Sequence, residues 1–132
     1  MSNNNNNNIN RPILQERSKH AVDLTNNYFP EVINEVEQNI KEHDVVVVGM
    51  AYNPFVKNIR KELTDAGVPF KYLEYGSYFS AWDKRLAIKM WSGYPTFPQV
   101  FKSGELLGGY DVASASIKDG SFKNSTPESS SK

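Results

Sequence analysis

The spacing of apolar residues along the chain predicts alternating helices and strands. After Pro30, apolar side chains recur at the spacing of a helix with one buried face. They are Val32, Ile33, Val36 and Ile40. The β-branched run 45–48 follows, and an unbroken run of this kind is typical of a strand that is covered on both faces. These segments predict a helix that packs against a central strand.

A second helix and a second strand are predicted next. Asn53 is a strong cap residue, and Pro54 suits the first helical turn, where its missing N–H would have no partner. The side chains expected to face inward are Phe55, Val56, Ile59 and Leu63. Gly67 is a stop signal for this helix, and the apolar residues of segment 70–73 then indicate a short strand.

A third helix is predicted over residues 80–91. The side chains expected to serve the core from this helix are Leu86, Ile88, Met90, Trp82 and Trp91. The loop before it, 75–78, carries two tyrosines. Either a contact surface or ordinary scattered surface aromatics would explain them.

The last elements are predicted to be a hairpin and a short helix. Segments 99–102 and 105–107 are apolar runs joined at Ser103-Gly104, which is a turn signal between two strands. Gly108 and Gly109 then end the second strand of the hairpin. Asp111 is expected to cap a final helix that ends at Ile117.

The element order predicts an α/β domain with a four-stranded mixed sheet and helices on both faces. The first βαβ unit is expected to be parallel, and the last two strands antiparallel. Within an N-terminal extension, 11–29, an extra helix is predicted over 11–25, with Asn10 as its cap. The domain is predicted over 30–122, and the tails 1–10 and 123–132 are expected to be disordered because both are low in apolar residues.

Charge and composition narrow the possible functions. Lys and Arg total 15, as do Asp and Glu, so the formal net charge is zero. Nucleic-acid and membrane-surface binders need a basic excess, and neither class is expected here. No apolar run approaches the roughly 20 residues that span a bilayer, and the first ten residues do not resemble a secretory signal. A cytoplasmic location is therefore expected. His20 and His43 lie far apart in sequence and do not indicate a metal site.

The chain contains no cysteine. A disulfide, a thiolate metal site and a cysteine nucleophile are therefore excluded. Any thiol chemistry would have to use a thiol from another molecule.

Two sequence motifs in the C-terminal half point to a family. The segment 91–101 reads Trp-Ser-Gly-Tyr-Pro-Thr-Phe-Pro-Gln-Val-Phe, and the segment 104–111 reads Gly-Glu-Leu-Leu-Gly-Gly-Tyr-Asp. Both resemble the glutaredoxin segment that carries a Thr-x-Pro loop and a Gly-Gly-x-Asp turn. The resemblance runs from about Val32 to Ile117, roughly two-thirds of the chain. It implies a thioredoxin-like (glutaredoxin) fold.

The resemblance also implies where a redox motif would lie. Glutaredoxins carry that motif, often Cys-Pro-Tyr-Cys, between the first strand and the next helix, and Asn53-Pro54-Phe55-Val56 stands there in this chain. The resemblance implies that Phe55 is partly exposed beside the site, which is the alternative to the inward-facing position. An amide at position 53 keeps the helix cap, but it cannot form a mixed disulfide or ligate iron as a thiolate does. Glutaredoxin-type oxidoreductase activity and an iron–sulfur cluster are therefore not expected.

A groove for glutathione is the second site that the resemblance implies. Pro98 matches the family's cis-proline, with an ordinary trans turn as the alternative. The residues that match the family's contacts to glutathione are Arg85, Lys89, Thr96, Phe97, Gly109, Tyr110 and Asp111. Arg85 and Lys89 share a helix face and match a basic pair that holds a carboxylate, although a solvated basic face would have the same spacing. Asp111 matches the acid that meets the glutamyl amine, or it is a plain helix cap.

Two positions beside the redox motif affect this prediction. Met50 stands where many members carry a lysine, and its loss should weaken binding of a carboxylate by about 1–3 kcal/mol. Tyr52 either packs against the domain or offers its hydroxyl to a ligand. Together with Asn53, Tyr52 completes the predicted ligand-binding set.

Three functions fit these residues. The first is a non-catalytic module that binds glutathione weakly, or a protein or peptide that docks at the cis-proline groove. The second is a glutathione-dependent oxidoreductase or transferase that uses the thiol of glutathione or of a partner, with Tyr52 or Asn53 as a hydrogen-bond donor. The third is a structural scaffold that no longer uses its groove. The sequence leaves all three open.

Overall fold

Residues 10–123, which a computed structural model describes, form a four-stranded sheet and five helices. The helices are α1 (Lys19–Asn26), α2 (Pro30–Glu42), α3 (Pro54–Asp65), α4 (Trp82–Ser92) and α5 (Tyr110–Lys118). The strands are β1 (Val45–Gly49), β2 (Lys71–Glu74), β3 (Gln99–Lys102) and β4 (Glu105–Gly108). The disorder predicted for 1–9 and 124–132 falls outside the described residues.

The sheet is mixed, as the sequence predicted. Its strand order is β2-β1-β3-β4, in which β1 is parallel to β2 and antiparallel to β3. Strands β3 and β4 form the predicted antiparallel hairpin. All five residues of β1 are buried, so the β-branched run does form a central strand covered on both faces.

The valines of β1 divide between two apolar clusters. Val46 and Val48 pack with Val36 of α2 and Ile88 of α4. Val45 and Val47 pack on the other side, in a cluster whose helical members are Ile59, Leu63 and Ala113. Because side chains alternate along a strand, a single strand can anchor a helix layer on each face. Burial of each valine contributes about 1.5–3 kcal/mol.

The N-terminal helix is shorter than predicted. It begins at Lys19 and not near residue 11, because Ser18 caps it by accepting a hydrogen bond from the Ala21 N–H at 3.1 Å. The predicted cap, Asn10, lies outside the helix. The stretch before Ser18 is non-helical, and Ile13 and Leu14 contact no core there. The apolar stripe of this segment was too thin to hold a longer helix against the domain.

Helix α4 buries only part of the face that was predicted. Ile88 is buried and Trp91 packs against the core, as predicted, but Arg85 and Ala87 are the other buried residues, and Leu86, Met90 and Trp82 are exposed. Arg85 is buried because it binds backbone carbonyls of the preceding loop, and this contact fixes the rotation of the helix. Trp91 is partly buried and packs at 5.8 Å from the Phe101 ring.

Two smaller predictions are also decided. Of the two positions expected for Phe55, the inward-facing one is wrong, because Phe55 lies in the first turn of α3 and is half-exposed beside the ring of Tyr110, as the resemblance implied. Asp111 was expected to cap α5, but the helix begins at Tyr110 with Gly109 in the cap position and no side-chain cap. Asp111 lies within the first helical turn. Within residues 10–123, no helix is long and apolar enough to cross a membrane.

Candidate functional site

Nine of the ten predicted ligand-binding residues line one cavity of about 680 Å³, which we call the groove. They are Asn53, Arg85, Lys89, Thr96, Phe97, Pro98, Gly109, Tyr110 and Asp111. The tenth, Tyr52, lies outside it, with a positive φ of 66° and 86% of its side chain exposed. Its ring lines a separate cavity of about 430 Å³ beside Arg60 and Glu74. The groove therefore joins the end of β1 to α4, the segment before β3 and the start of α5.

Six further residues complete the groove walls. Met50 and Phe55 belong to positions that the resemblance placed beside the site, whereas the sequence did not indicate Tyr78, Tyr94, Pro95 and Val112. Most of these side chains are apolar or aromatic, so the groove has apolar walls with a few polar groups. That composition is common among small-molecule sites.

Asn53 caps α3 with its own side chain. Its Oδ1 accepts hydrogen bonds from the backbone N–H groups of Phe55 at 2.9 Å and Val56 at 3.0 Å, which confirms the predicted cap. The amide therefore presents its NH₂ donor away from the helix. Val56, at the second position of the missing thiol pair, is buried in the core. The N-terminal end of α3 is thus satisfied by the protein itself.

The segment before β3 is held from beneath by a buried glutamine. The side chain of Gln99 is fully buried, and its Nε2 donates to the carbonyls of Tyr94 at 3.0 Å and Thr96 at 3.3 Å. The Phe97–Pro98 peptide bond is cis. Thr96 is exposed along the groove, while Phe97 is buried. An isolated polar residue inside the apolar run 97–101 was the only sequence signal for this support.

Arg85 supports the protein backbone. Its Nη1 donates to the carbonyls of Tyr75 at 3.0 Å and Ser80 at 2.6 Å, and the residue is only 8% exposed. The alternative of a solvated basic face is therefore wrong for Arg85. Lys89 is half-buried, with its Nζ 5.7 Å from the centre of the Phe97 ring. Of the predicted basic pair, Lys89 is the one whose charge is not tied to these loop carbonyls.

The loop that Arg85 holds is a tight turn with exposed rings. Gly76 has a φ of 72°, and a Cβ there would lie 2.4 Å from the Ser80 carbonyl oxygen, so a glycine is required. Tyr78 and Phe79 point outward at the tip of the turn. Of the two loop tyrosines, Tyr75 is instead buried, and its hydroxyl donates to Glu35. Burial and that carboxylate both raise the pKa of Tyr75.

A carboxylate behind the groove joins α3 to α5. Glu62 accepts hydrogen bonds from the hydroxyl of Tyr110 and from Ser114 Oγ, the latter at 2.6 Å. The ring of Tyr110 lies 5.8 Å from that of Phe55 across the groove wall. These partners are 48 and 52 residues from Glu62 in sequence. Spacing along the chain gave no sign of this network.

Because of this network, the fold is expected to lose stability as the pH falls into the acid range. Burial opposes ionisation of Glu62, but the hydrogen bonds from Ser114 and Tyr110 and the charge of Lys118 outweigh it, so the pKa of Glu62 lies below its usual 4.5. A lowered folded-state pKa stabilises the fold above the unfolded pKa, and this stabilisation is lost as the pH falls through the folded pKa. We therefore expect Glu62→Gln to lower the free energy of unfolding near neutral pH. The difference in this free energy between the variant and the wild type should become smaller as the pH falls.

Urea unfolding over a series of pH values measures this difference in the free energy of unfolding. Glu105→Gln is the matched control, because Glu105 is exposed on the β3–β4 hairpin. A difference for Glu62→Gln that stays constant from neutral pH to below 4.5 would show that the charge of the Glu62 carboxylate does not stabilise the fold.

Within residues 10–123, no group of three or more His, Asp or Glu side chains is placed so that it could hold a metal ion.

Comparison with known proteins places these features in a family. No family model matches the chain. It is 52% identical over 115 residues to a glutaredoxin-like protein of Dictyostelium discoideum, which covers 87% of this chain and 94% of that protein. The structure of wheat glutaredoxin matches with a TM-score of 0.60 at 29% identity, over 71% of this chain and 87% of the wheat chain.

A second structural neighbour is a buckwheat glutaredoxin in complex with glutathione. It matches with a TM-score of 0.60 at 22% identity, over 71% of this chain and 86% of its own. At that identity the likeness shows the shared fold. The identity to the Dictyostelium protein, over nearly the full length of both chains, shows the family. The chain is therefore a member of the glutaredoxin family that has no cysteine.

Proposed function

We propose that the protein is a non-catalytic module that binds glutathione in the groove. The observation that carries this proposal is that one cavity collects polar groups suited to each end of the tripeptide. Lys89 offers a cation for a carboxylate, and Asp111 offers an anion for an ammonium group. The start of α5 has no side-chain cap, so its N–H groups suit a second carboxylate.

The Asn53 cap favours binding over catalysis. A transferase would stabilise the thiolate of glutathione, and the N-terminal end of α3 is the natural place for that charge. There, Asn53 Oδ1 already accepts from Phe55 and Val56, so a thiolate would have to displace it. Tyr52, the other candidate donor, lies outside the groove. These positions argue against the transferase, and the absence of cysteine excludes thiol turnover by the chain itself.

The affinity is expected to be low. Met50 supplies no cation to the groove, and Arg85 uses Nη1 on two backbone carbonyls. Loss of one charge-assisted contact costs about 1–3 kcal/mol, or roughly one to two orders of magnitude in the dissociation constant. We expect binding of glutathione in the millimolar range.

Titration of the full chain with reduced glutathione, followed by amide NMR, tests the proposal. We expect shifts at Thr96, Phe97 and Asp111. We expect Lys89→Gln to weaken binding about fivefold to tenfold, because it removes one charge-assisted contact. Lys71→Gln is the control, since Lys71 is exposed on β2 and does not line the groove. Absence of shifts at the three groove residues at millimolar glutathione would contradict the proposal.

A further inference from the structure

A second cavity adjoins the groove at the start of α3, and we call it the side cavity. It encloses about 430 Å³. Met50 and Asn53 line both the side cavity and the groove, so the two spaces meet at this pair of residues. A ligand that fills the groove can therefore extend into the side cavity past Asn53. The aromatic and charged residues that line the side cavity are Tyr52, Tyr72, Lys57, Arg60 and Glu74.

Tyr52 gives the side cavity an open aromatic surface. Its φ of 66° is strained for a residue with a bulky side chain. This backbone conformation turns the ring out of the groove and into the lining of the side cavity, where the residue is 86% exposed. Backbone strain of this kind clusters at sites that hold ligands. A planar group that enters the side cavity has a ring face to stack on.

The charged residues of the side cavity favour an acidic ligand. Lys57 and Arg60 are three residues apart on one face of α3. None of the ion pairs formed among residues 10–123 includes either of them. Glu74 supplies one carboxylate, which accepts a hydrogen bond from the Tyr72 hydroxyl at 2.9 Å. Two cations and one anion leave a net positive charge, which attracts an anionic group.

We propose that the protein binds S-conjugates of glutathione in which the sulfur carries an aromatic ring with an acidic group. The tripeptide occupies the groove, and the ring occupies the side cavity against Tyr52. The acidic group pairs with Lys57 and Arg60. Ligand cavities commonly start at about 300 Å³, so the side cavity has room for one substituted ring. This inference rests on the proposed binding of glutathione, and it names the form of glutathione that the site takes.

The two ends of the tripeptide direct its sulfur toward the shared wall. In the proposed function, Lys89 holds a carboxylate and Asp111 holds the ammonium group. The cysteinyl residue then lies between these ends. The groove is lined there by the segment 94–98 and by Met50 and Asn53. A substituent on the sulfur therefore leaves the groove beside Asn53, where the side cavity begins.

The chemistry of the shared wall suits a substituted sulfur. The N–H groups of Phe55 and Val56 already bond to Asn53 Oδ1, so they are not free to stabilise a thiolate. A thioether carries neither charge nor proton, and it needs no such donors. Its neighbours would be the neutral amide of Asn53 and the thioether of Met50, which is only 6% exposed. Binding of a conjugate requires no bond to be made or broken by the protein.

Calorimetric titration of the full chain with a set of conjugates tests the proposal. S-methylglutathione fills the groove alone, and S-(para-carboxybenzyl)glutathione also reaches the side cavity. We expect the second ligand to bind about tenfold more tightly, because it adds a stacked ring and a charge-assisted contact. S-(para-aminomethylbenzyl)glutathione carries a cation on the same ring and should bind less tightly than the acid. Equal affinity for the acidic and the cationic conjugate would overturn the proposal.

Amide NMR shows where the ring lies. Both S-methylglutathione and the carboxybenzyl conjugate should shift the amides of Thr96 and Asp111 in the groove. Only the carboxybenzyl conjugate should also shift the amides of Tyr52 and Lys57. Shifts at Tyr52 and Lys57 that are the same for both ligands would show that the ring does not enter the side cavity.

Two variants test the residues of the side cavity through the ratio of the two affinities. Lys57→Gln should reduce the tenfold preference for the carboxybenzyl conjugate about threefold, because one cation is lost. Lys71→Gln is its control, since Lys71 is exposed on β2 and lines neither cavity. Tyr52→Ala should reduce the preference to a similar extent, and Phe79→Ala is its exposed aromatic control. Circular dichroism checks that each variant keeps its fold.

The outcomes separate this proposal from the proposed function. Groove shifts with S-methylglutathione, together with equal affinity for the carboxybenzyl conjugate, would overturn the role of the side cavity and leave glutathione binding in place. No groove shifts with either ligand at millimolar concentration would overturn both. A clear preference for the carboxybenzyl conjugate that falls in Lys57→Gln and Tyr52→Ala, and not in their controls, would support the proposal.

Discussion

The Asn53→Cys variant is expected to carry a thiol whose pKa is well below that of a free cysteine. The N–H groups of Phe55 and Val56 now point at the Asn53 side chain, at 2.9 and 3.0 Å. These donors and the positive end of the α3 dipole would favour a thiolate at the same position. Such settings lower a cysteine pKa from about 8.5 to between about 3.5 and 7.5. Ultraviolet absorbance of the thiolate against pH measures the shift.

The same variant should acquire reactivity that the native chain lacks. Its thiolate would attack glutathione disulfide, form a protein–glutathione disulfide and release one glutathione thiolate. Intact-mass spectrometry follows this product. Phe79→Cys is the matched control, because position 79 is 97% exposed and is not a cap position; the cap residue of α4 is Ala81. If both thiols titrate alike, the N-terminal end of α3 does not stabilise charge at position 53.

The second large effect is expected at Arg85. Arg85→Met should lower the free energy of unfolding by about 3 kcal/mol, because two carbonyls lose a charged donor. These are the carbonyls of Tyr75, which is buried, and Ser80. The 75–80 turn should open in the variant, so amide hydrogen exchange should accelerate there more than in β1. Urea unfolding measures the loss of stability.

Two further variants show whether this effect depends on geometry. Arg85→Lys keeps the charge but lacks the planar fork of arginine, so it should recover only part of the lost stability. Arg60→Met removes an exposed guanidinium that lies 3.8 Å from the centre of the Tyr72 ring, and it should cost less than about 1 kcal/mol. Equal losses for Arg85→Met and Arg60→Met would show that the loop carbonyls do not need Arg85.

The elements that the sequence predicted well are those with strong local signals. The four valines of β1, Pro30 at the start of α2 and the Asn53-Pro54 pair each fix structure within a few residues. The start of α1 was misplaced because Pro12 and Asn10 resemble a helix start, while Ser18 is the residue that makes the capping bond. Competing caps of similar strength cannot be ranked without the tertiary contacts.

The face of α4 shows the limit of periodicity. Apolar residues occur on several sides of this helix, so the pattern alone does not say which side is buried. The contact of Arg85 with Ser80 decides the rotation, and Leu86 and Met90 are then left exposed. A charged residue is rarely expected inside, so the sequence placed Ile88 in the core correctly but did not predict the burial of Arg85.

The groove was predicted from motif spacing, and its internal supports were not. Six of the nine groove residues lie in the two C-terminal motifs, and Asn53, Arg85 and Lys89 were placed by their match to the redox motif and the basic pair. Glu62 and Gln99 hold those loops from behind, and each acts on residues whose proximity arises only in three dimensions. Tyr52 falls outside because its positive φ turns the side chain away.

The proline that begins α3 also affects the chemical lifetime of the cap. Spontaneous deamidation of asparagine proceeds when the next backbone nitrogen attacks the side-chain amide and closes a cyclic imide. Pro54 has no N–H, so that nitrogen cannot act as the nucleophile. Asn53 is therefore expected to deamidate slowly. Deamidation at this position would give a carboxylate and change the charge of the groove. The replacement for a reactive thiol is, in this setting, a durable neutral amide.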